Sequence, residues 1–198
     1  MGDLKINYKI LFLGPSDSLI CKRLKKTYQV HAYHEALTSN HPLIDGCDFA
    51  VSFGYRHILK PSILARFKRP VINLHISYLP WNRGADPNLW SFLEKTPSGV
   101  SIHQINQGID TGPIFAQAQV DQDIERGTLA TSYAKLVKEI EKLFFQNLPA
   151  ILQQEIQPKE QKMGGSSHRS QDKQMFLHLL HSGWNTPLRD IWGAACIP

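Results

Sequence analysis

Short apolar runs that stop at a glycine or a turn former, separated by helix-period segments, restrict this chain to an alternating strand and helix order. The run YKILFLG at 8–14 is mostly apolar and ends in Gly14, as expected for a strand covered on both faces of a parallel sheet. CDFAVSFGY repeats the pattern from Cys47 and stops at Gly54, and a β-branched run from Val71 to Ile76 repeats it again. Asp17 or Ser18 can cap a helix through about Tyr28, with Leu19, Ile20 and Leu24 facing the sheet. Residues 29–33 form an edge-like strand, and Pro61 can occupy the first position of a helix through Phe67. Such alternation implies an α/β fold.

Beyond Pro80 the segment WNRGADPN is rich in turn formers, and PNLWSFLEK then restores a period near 3.6. GVSIHQI at 99–105 alternates apolar and polar side chains, the pattern of a half-buried strand, and 115–120 can pair with it antiparallel across the NQGIDTGP loop. The longest helical pattern runs from Thr128 to about Leu152, with Leu129, Tyr133, Leu136, Val137, Ile140, Leu143 and Phe144 on one stripe. From Gln153 the composition turns polar, and Gly164-Gly165 interrupts it, as in a linker. The end regains Trp184, Trp192 and several leucines, expected to dock on the domain or on a second subunit. Residues 1–152 therefore read as one domain, and 153–198 as a linker with a helical tail.

A chain of 198 residues with 42% apolar composition supports one good core. No apolar run reaches the roughly 20 residues that span a bilayer, and MGDLKINYK lacks the features of a signal peptide, so a cytoplasmic location is expected. Cys21, Cys47 and Cys196 lack the paired spacing of a disulfide framework or zinc site. The net charge of +5 favours anionic ligands, but no nucleic-acid-binding signature accompanies it. His31, His34 and His41 have no carboxylate or cysteine at ligand spacing, so no metal is expected. His57, His103, His168, His178 and His181 carry no independent signal.

The chemistry concentrates between Val71 and Asp110. Alternate side chains of a strand share a face, so Asn73 and His75 are expected to point into one cleft beyond the sheet, where Asp110 could orient the imidazole. If an amine attacks a formyl carbonyl, donors must face the developing oxyanion, and Asn73 and His75 can supply them. Asp110 can act as the base, and a carboxylate beside His75 would favour the imidazolium. No acylated side chain is needed. Taken singly, His75 reads as a core histidine, Asn73 as a turn residue and Asp110 as a loop-shaping Asx residue; together they are far more specific.

SFGYRHILKPSIL, INLHISYLP and GVSIHQINQGIDTGPIFAQ, in this order, resemble the formyltransferases that use 10-formyltetrahydrofolate. The resemblance implies a Rossmann-like, mostly parallel twisted sheet flanked by helices, of the formyltransferase type. It makes Asn73, His75 and Asp110 the catalytic triad. Gly54, Tyr55, Arg56, His57, Ile58 and Leu59, with Gly108 and Ile109, would hold the pteridine end of the folate. The LPWNRGADPNLWSFLEKTP segment looks most like enzymes that formylate nucleotide-linked amino sugars for surface polysaccharides, with Trp81, Asn82 and Arg83 near the acceptor pocket. Direct attack through a tetrahedral intermediate, no nucleic-acid partner and a homodimer built on the tryptophan-bearing tail complete the expectation. The single Gly14 after the first strand departs from the glycinamide ribonucleotide branch, and the short C-terminal part departs from the methionyl-tRNA branch. The stretch before SFGY is also short for the family. Two alternatives are hydrolysis of formyltetrahydrofolate, set apart by whether tetrahydrofolate release requires an amine, and a non-catalytic folate- or nucleotide-binding module.

Overall fold

The computed structural model describes residues 8–196; the first residues of the stretch read for a leader lie outside the described residues. The described chain divides into two compact units, one of residues 8–74 with 104–107 and one of residues 75–103 with 108–196.

In the first unit, β1 (Lys9–Leu13), β2 (Gln29–Tyr33), β3 (Phe49–Ser52) and β4 (Ile72–His75) run parallel in the order β2-β1-β3-β4. The expected α/β architecture with a mostly parallel sheet is what forms. β3 is buried throughout and β1 from Ile10 onward, which explains why their sequences are apolar at consecutive rather than alternate positions. Ser18 caps α1 (Leu19–Leu24) by accepting the Cys21 N–H at 3.2 Å. Leu19 departs from expectation and is 65% exposed. The buried stripe consists of Ile20, Cys21 and Leu24, and a 100° step per residue turns Leu19 away from it. The helix also stops short of Tyr28, because Lys25, Lys26 and Thr27 offer no apolar side chain to bury. Between β2 and β3 lies α2 (Pro42–Gly46), and Pro61 starts α3 (Pro61–Leu64). The chain leaves β1 for β2 on one side and returns to β3 on the other, so β1 and β3 flank the switch point where ligands enter such sheets. There the backbones approach so closely that a Cβ on Gly14 would lie 2.0 Å from the Phe53 carbonyl oxygen.

The second unit contains β5 (Arg83–Gly84), α4 (Pro87–Leu93), β6 (Gly99–Gln104), β7 (Ile114–Gln119), α5 (Leu129–Leu152), β8 (Ser167–His168) and α6 (Leu188–Ile191). β6 and β7 are antiparallel, with Gly99 opposite Gln119. The alternation in β6 suggested one solvent-facing side, but Gly99 through His103 are all buried. Its polar positions face partners rather than water: the Ser101 hydroxyl donates to the Ser77 carbonyl at 2.7 Å and accepts the Leu79 N–H at 3.2 Å. Thr128 and Thr131 form a capping box that opens α5. Leu129, Leu136, Ile140 and Phe144 are buried along α5, whereas Tyr133, expected on the same stripe, is 40% exposed and meets the Trp184 ring edge-on.

The tail docks on its own unit. Leu188 and Ile191 join Leu89, Trp90, Phe92, Leu93 and Leu129 in one apolar cluster, while Trp184 and Trp192 remain exposed. The polar stretch after Gln153 is also held, because β8 pairs in parallel with β5. Gly165 (φ +89°) passes so close to Pro80 that a Cβ would lie 2.0 Å from that carbonyl oxygen. Among the described residues, no helix is long and apolar enough to cross a membrane.

Candidate active site

Three titratable side chains of the second unit converge on one buried point. The Asp110 carboxylate lies 3.3 Å from His103 Nε2 through one oxygen and 3.6 Å from His75 Nε2 through the other. The His75 and His103 rings stand nearly perpendicular, with centroids 6.0 Å apart. His75 and His103 are 8% and 1% exposed, so water contributes little screening between these groups. Asp110 takes a left-handed backbone conformation, φ 52°. Its carboxylate also accepts the Gly84 N–H at 2.8 Å. That donor is distant in sequence, so Asp110 is more than a turn residue satisfying its own neighbours.

Burial of the imidazole is the largest influence on His75, and it outweighs the nearby carboxylate, leaving the pKa below the ordinary 6.5. The expected imidazolium is thereby corrected to a neutral ring, because desolvation penalises the charged form. Burial pushes Asp110 the other way, but the charge that His75 gains in acid, the His103 bond and the Gly84 N–H overcome it and hold the carboxyl well below the usual range. His75 Nε2 lies 3.3 Å from the Asn82 carbonyl oxygen. A carbonyl can only accept, so Nε2 carries the proton in the neutral ring and Nδ1 is left as the basic nitrogen.

Asn82 is fully buried in a left-handed conformation, φ 54°. Its carboxamide donates to Thr96 Oγ1 at 2.8 Å and accepts from Ser166 Oγ at 3.0 Å. The side chain expected near the acceptor is therefore committed within the protein, and the carbonyl is what Asn82 presents to His75. The Arg83 guanidinium is bidentate on Gln161 Oε1, at 3.0 and 2.8 Å. Trp81 is half-buried, and its carbonyl accepts from Ser77 Oγ.

In the first unit, Asn73 is half-buried on β4, opposite Ser52 of β3. The loop at 54–59 is anchored at Tyr55, whose hydroxyl donates to the Glu35 carbonyl at 2.6 Å and accepts the Leu37 N–H at 3.0 Å. Leu59 is buried in the core, while Gly54, Arg56, His57 and Ile58 are exposed. In the second unit, Gly108 and Ile109 are exposed. Sequence reasoning missed His103, Gly84 and Gln161. The signal for His103 was its place in β6 at the same parity as Ser101, which would have marked a bonded polar row had the strand been recognised as buried on both sides. A backbone N–H carries no residue signature, so Gly84 had none.

The formyl transferase family model matches residues 20–148, more than half of the chain. A methionyl-tRNA formyltransferase from Finegoldia magna is 43% identical over 79 residues, 39% of this chain but only 26% of that protein's length. The crystal structure of the formyltransferase PseJ from Anoxybacillus kamchatkensis, in complex with UDP-4,6-dideoxy-4-formamido-L-AltNAc and tetrahydrofolate, superposes with a TM-score of 0.89. It is 46% identical, and the match covers 94% of this chain and 99% of that one. A 4-N formyltransferase from Francisella tularensis shares the fold, with a TM-score of 0.71 at 19% identity over 83% of this chain and 77% of that one. A buried His-Asp-His cluster on a matching fold and family model thus gives one assignment: the chain belongs to the formyl transferase family.

Proposed function

We propose that this protein transfers a formyl group from 10-formyltetrahydrofolate to the amine of a nucleotide-linked amino sugar in the cytoplasm. The likeness to the PseJ complex with a formamido sugar nucleotide and tetrahydrofolate supports the substrate pair. The observation that carries the chemistry is the Asp110 carboxylate held 3.6 Å from His75 Nε2 and 3.3 Å from His103 Nε2. On the family pattern, the folate-holding residues are Gly54, Tyr55, Arg56, His57, Ile58 and Leu59 in the first unit, and Gly108 and Ile109 in the second. When bound, the folate supplies the formyl carbonyl.

His75 accepts the proton of the attacking amine at Nδ1 and returns it to the departing nitrogen, a general base and acid in turn. Asp110 is too weak a base for that task. It fixes the ring's orientation and stabilises the imidazolium that forms on proton arrival, and His103 and Gly84 keep it ionised meanwhile. Asn73 donates its amide N–H to the carbonyl oxygen as negative charge builds there. Trp81 and Arg83 border the acceptor, and Asn82 shapes that border from within.

The test is a panel of nucleotide-linked amino sugars incubated with 10-formyltetrahydrofolate, read by formyl mass gain on the acceptor. At least one should be formylated, and His75→Ala should slow that transfer by about a hundredfold or more. Tetrahydrofolate release at full rate without any amine would identify a hydrolase. Folate binding without turnover on any member would identify a binding module.

A further inference from the structure

The stretch after α5, polar and linker-like in composition, reaches the back of the active site through one side chain. Gln161 Nε2 donates to the Asp110 carbonyl at 2.7 Å and to the Gly112 carbonyl at 2.9 Å. Its Oε1 accepts both Arg83 bonds. A carboxamide has two N–H donors and two acceptor lone pairs, and all four are used here. The bonds close a ring. Arg83 adjoins Gly84, the Gly84 N–H holds the Asp110 carboxylate, and Gln161 ties the Asp110 backbone back to Arg83.

The same stretch grips this loop through three backbone N–H groups more. Arg83 N–H donates to the Ser166 carbonyl at 3.0 Å, and Ala85 N–H donates to the His168 carbonyl at 2.9 Å. The Asn82 N–H donates to Ser166 Oγ at 3.0 Å. The segments that carry the Asp110 carboxylate and the Asn82 carbonyl are therefore both braced by residues 161–168.

We infer that Gln161 is a positioning residue for formyl transfer, fixing the Asp110 carboxylate relative to Gly84 and through it the imidazole of His75. Asp110 sits in a left-handed conformation that side chains rarely adopt, and such a conformation persists only when its surroundings hold it. Gln161 supplies that restraint from outside the loop. Arg83 accordingly serves Asp110 as well as bordering the acceptor. This role rests on the transfer reaction proposed above, but the restraint itself can be measured without it.

The experiment compares the wild type, Gln161→Ala, Asp110→Asn and the double variant, using kcat, KM and amide hydrogen exchange. Gln161→Ala should lower kcat about tenfold with the folate KM within about twofold, since a misplaced group costs turnover before binding. In the Asp110→Asn background the same change should cost less than about twofold, because the charge it positions is already gone. Exchange at the Gly84 amide should quicken about tenfold while amides in the middle of α5 hold their protection. Gln161→Glu, which turns two donors toward carbonyls into an acceptor, should be at least as slow as Gln161→Ala and covers the case of a poorly folding alanine variant. Equal losses in both Asp110 backgrounds, or unchanged Gly84 exchange, would overturn the inference. If the wild type formylates no acceptor, the functional reading fails, and the Gly84 exchange result alone decides the restraint.

Discussion

Burial acts oppositely on His75 and Asp110. Desolvation leaves the imidazole neutral, whereas the carboxylate survives burial only through the groups that contact it. In the proposed mechanism neutral His75 is the base, so the acid limb of kcat that reports protonation of the ring should lie below pH 6.5. Asp110→Asn removes the group that raises the His75 pKa. The variant should be about a hundredfold slower, with its acid limb moved to still lower pH. A limb moved upward would show that Asp110 does not act on His75. Stability carries the same signature. Asp110 has a lower pKa folded than unfolded, so the unfolded chain takes up the proton first as pH falls below 3.8. Its contribution is fully present above that pH and lost progressively below it. Acid unfolding of Asp110→Asn should therefore depend less steeply on pH than that of the wild type.

Elements were legible wherever one physical signal decided them. β1, β3 and β4 show as apolar runs closed by Gly or polar residues, and α5 as a long stripe opened by a threonine cap, because burial on both faces and a 3.6 period both leave plain patterns. The GIDTG loop could be read from the glycines that flank Asp110. The segment at 161–168 could not. It is held by hydrogen bonds to backbone carbonyls, which any polar side chain can make, and by a Gly165 whose necessity appears only where it meets Pro80. Gly165→Ala tests this at the level of the segment. With φ +89° and a Cβ 2.0 Å from the Pro80 carbonyl oxygen, alanine forces the chain to lift, and Gly84 exchange should quicken together with a loss of kcat. Wild-type exchange and rate in this variant would mean that the segment adapts without disturbing the site. The α5 cap offers a contrast, because Thr128 Oγ1 accepts the Thr131 N–H at 3.2 Å, a bond that includes none of His75, His103, Asp110 or Gln161. Thr128→Ala should lower unfolding free energy by about 1 kcal/mol in urea while leaving kcat unchanged.

At the scale of the whole molecule, the relevant quantity is charge. With 22 Lys+Arg against 17 Asp+Glu the protein carries a formal +5, and its pI is near 9.1. A nucleotide-linked sugar brings its diphosphate into that field, whereas the same amino sugar without its nucleotide does not. Long-range attraction accelerates encounter and is screened within about 10 Å at 0.1 M salt. Chemistry at His75 is shielded from salt by burial, so ionic strength should act on capture rather than turnover. Raising salt from about 50 to about 300 mM, roughly a halving of the screening length, should lower kcat/KM severalfold for a nucleotide-linked acceptor. It should leave kcat unchanged and barely affect the nucleotide-free amino sugar. An identical salt response for both acceptors would show that the positive charge plays no part in selecting the substrate. Recognition of the nucleotide would then rest on short-range contacts alone.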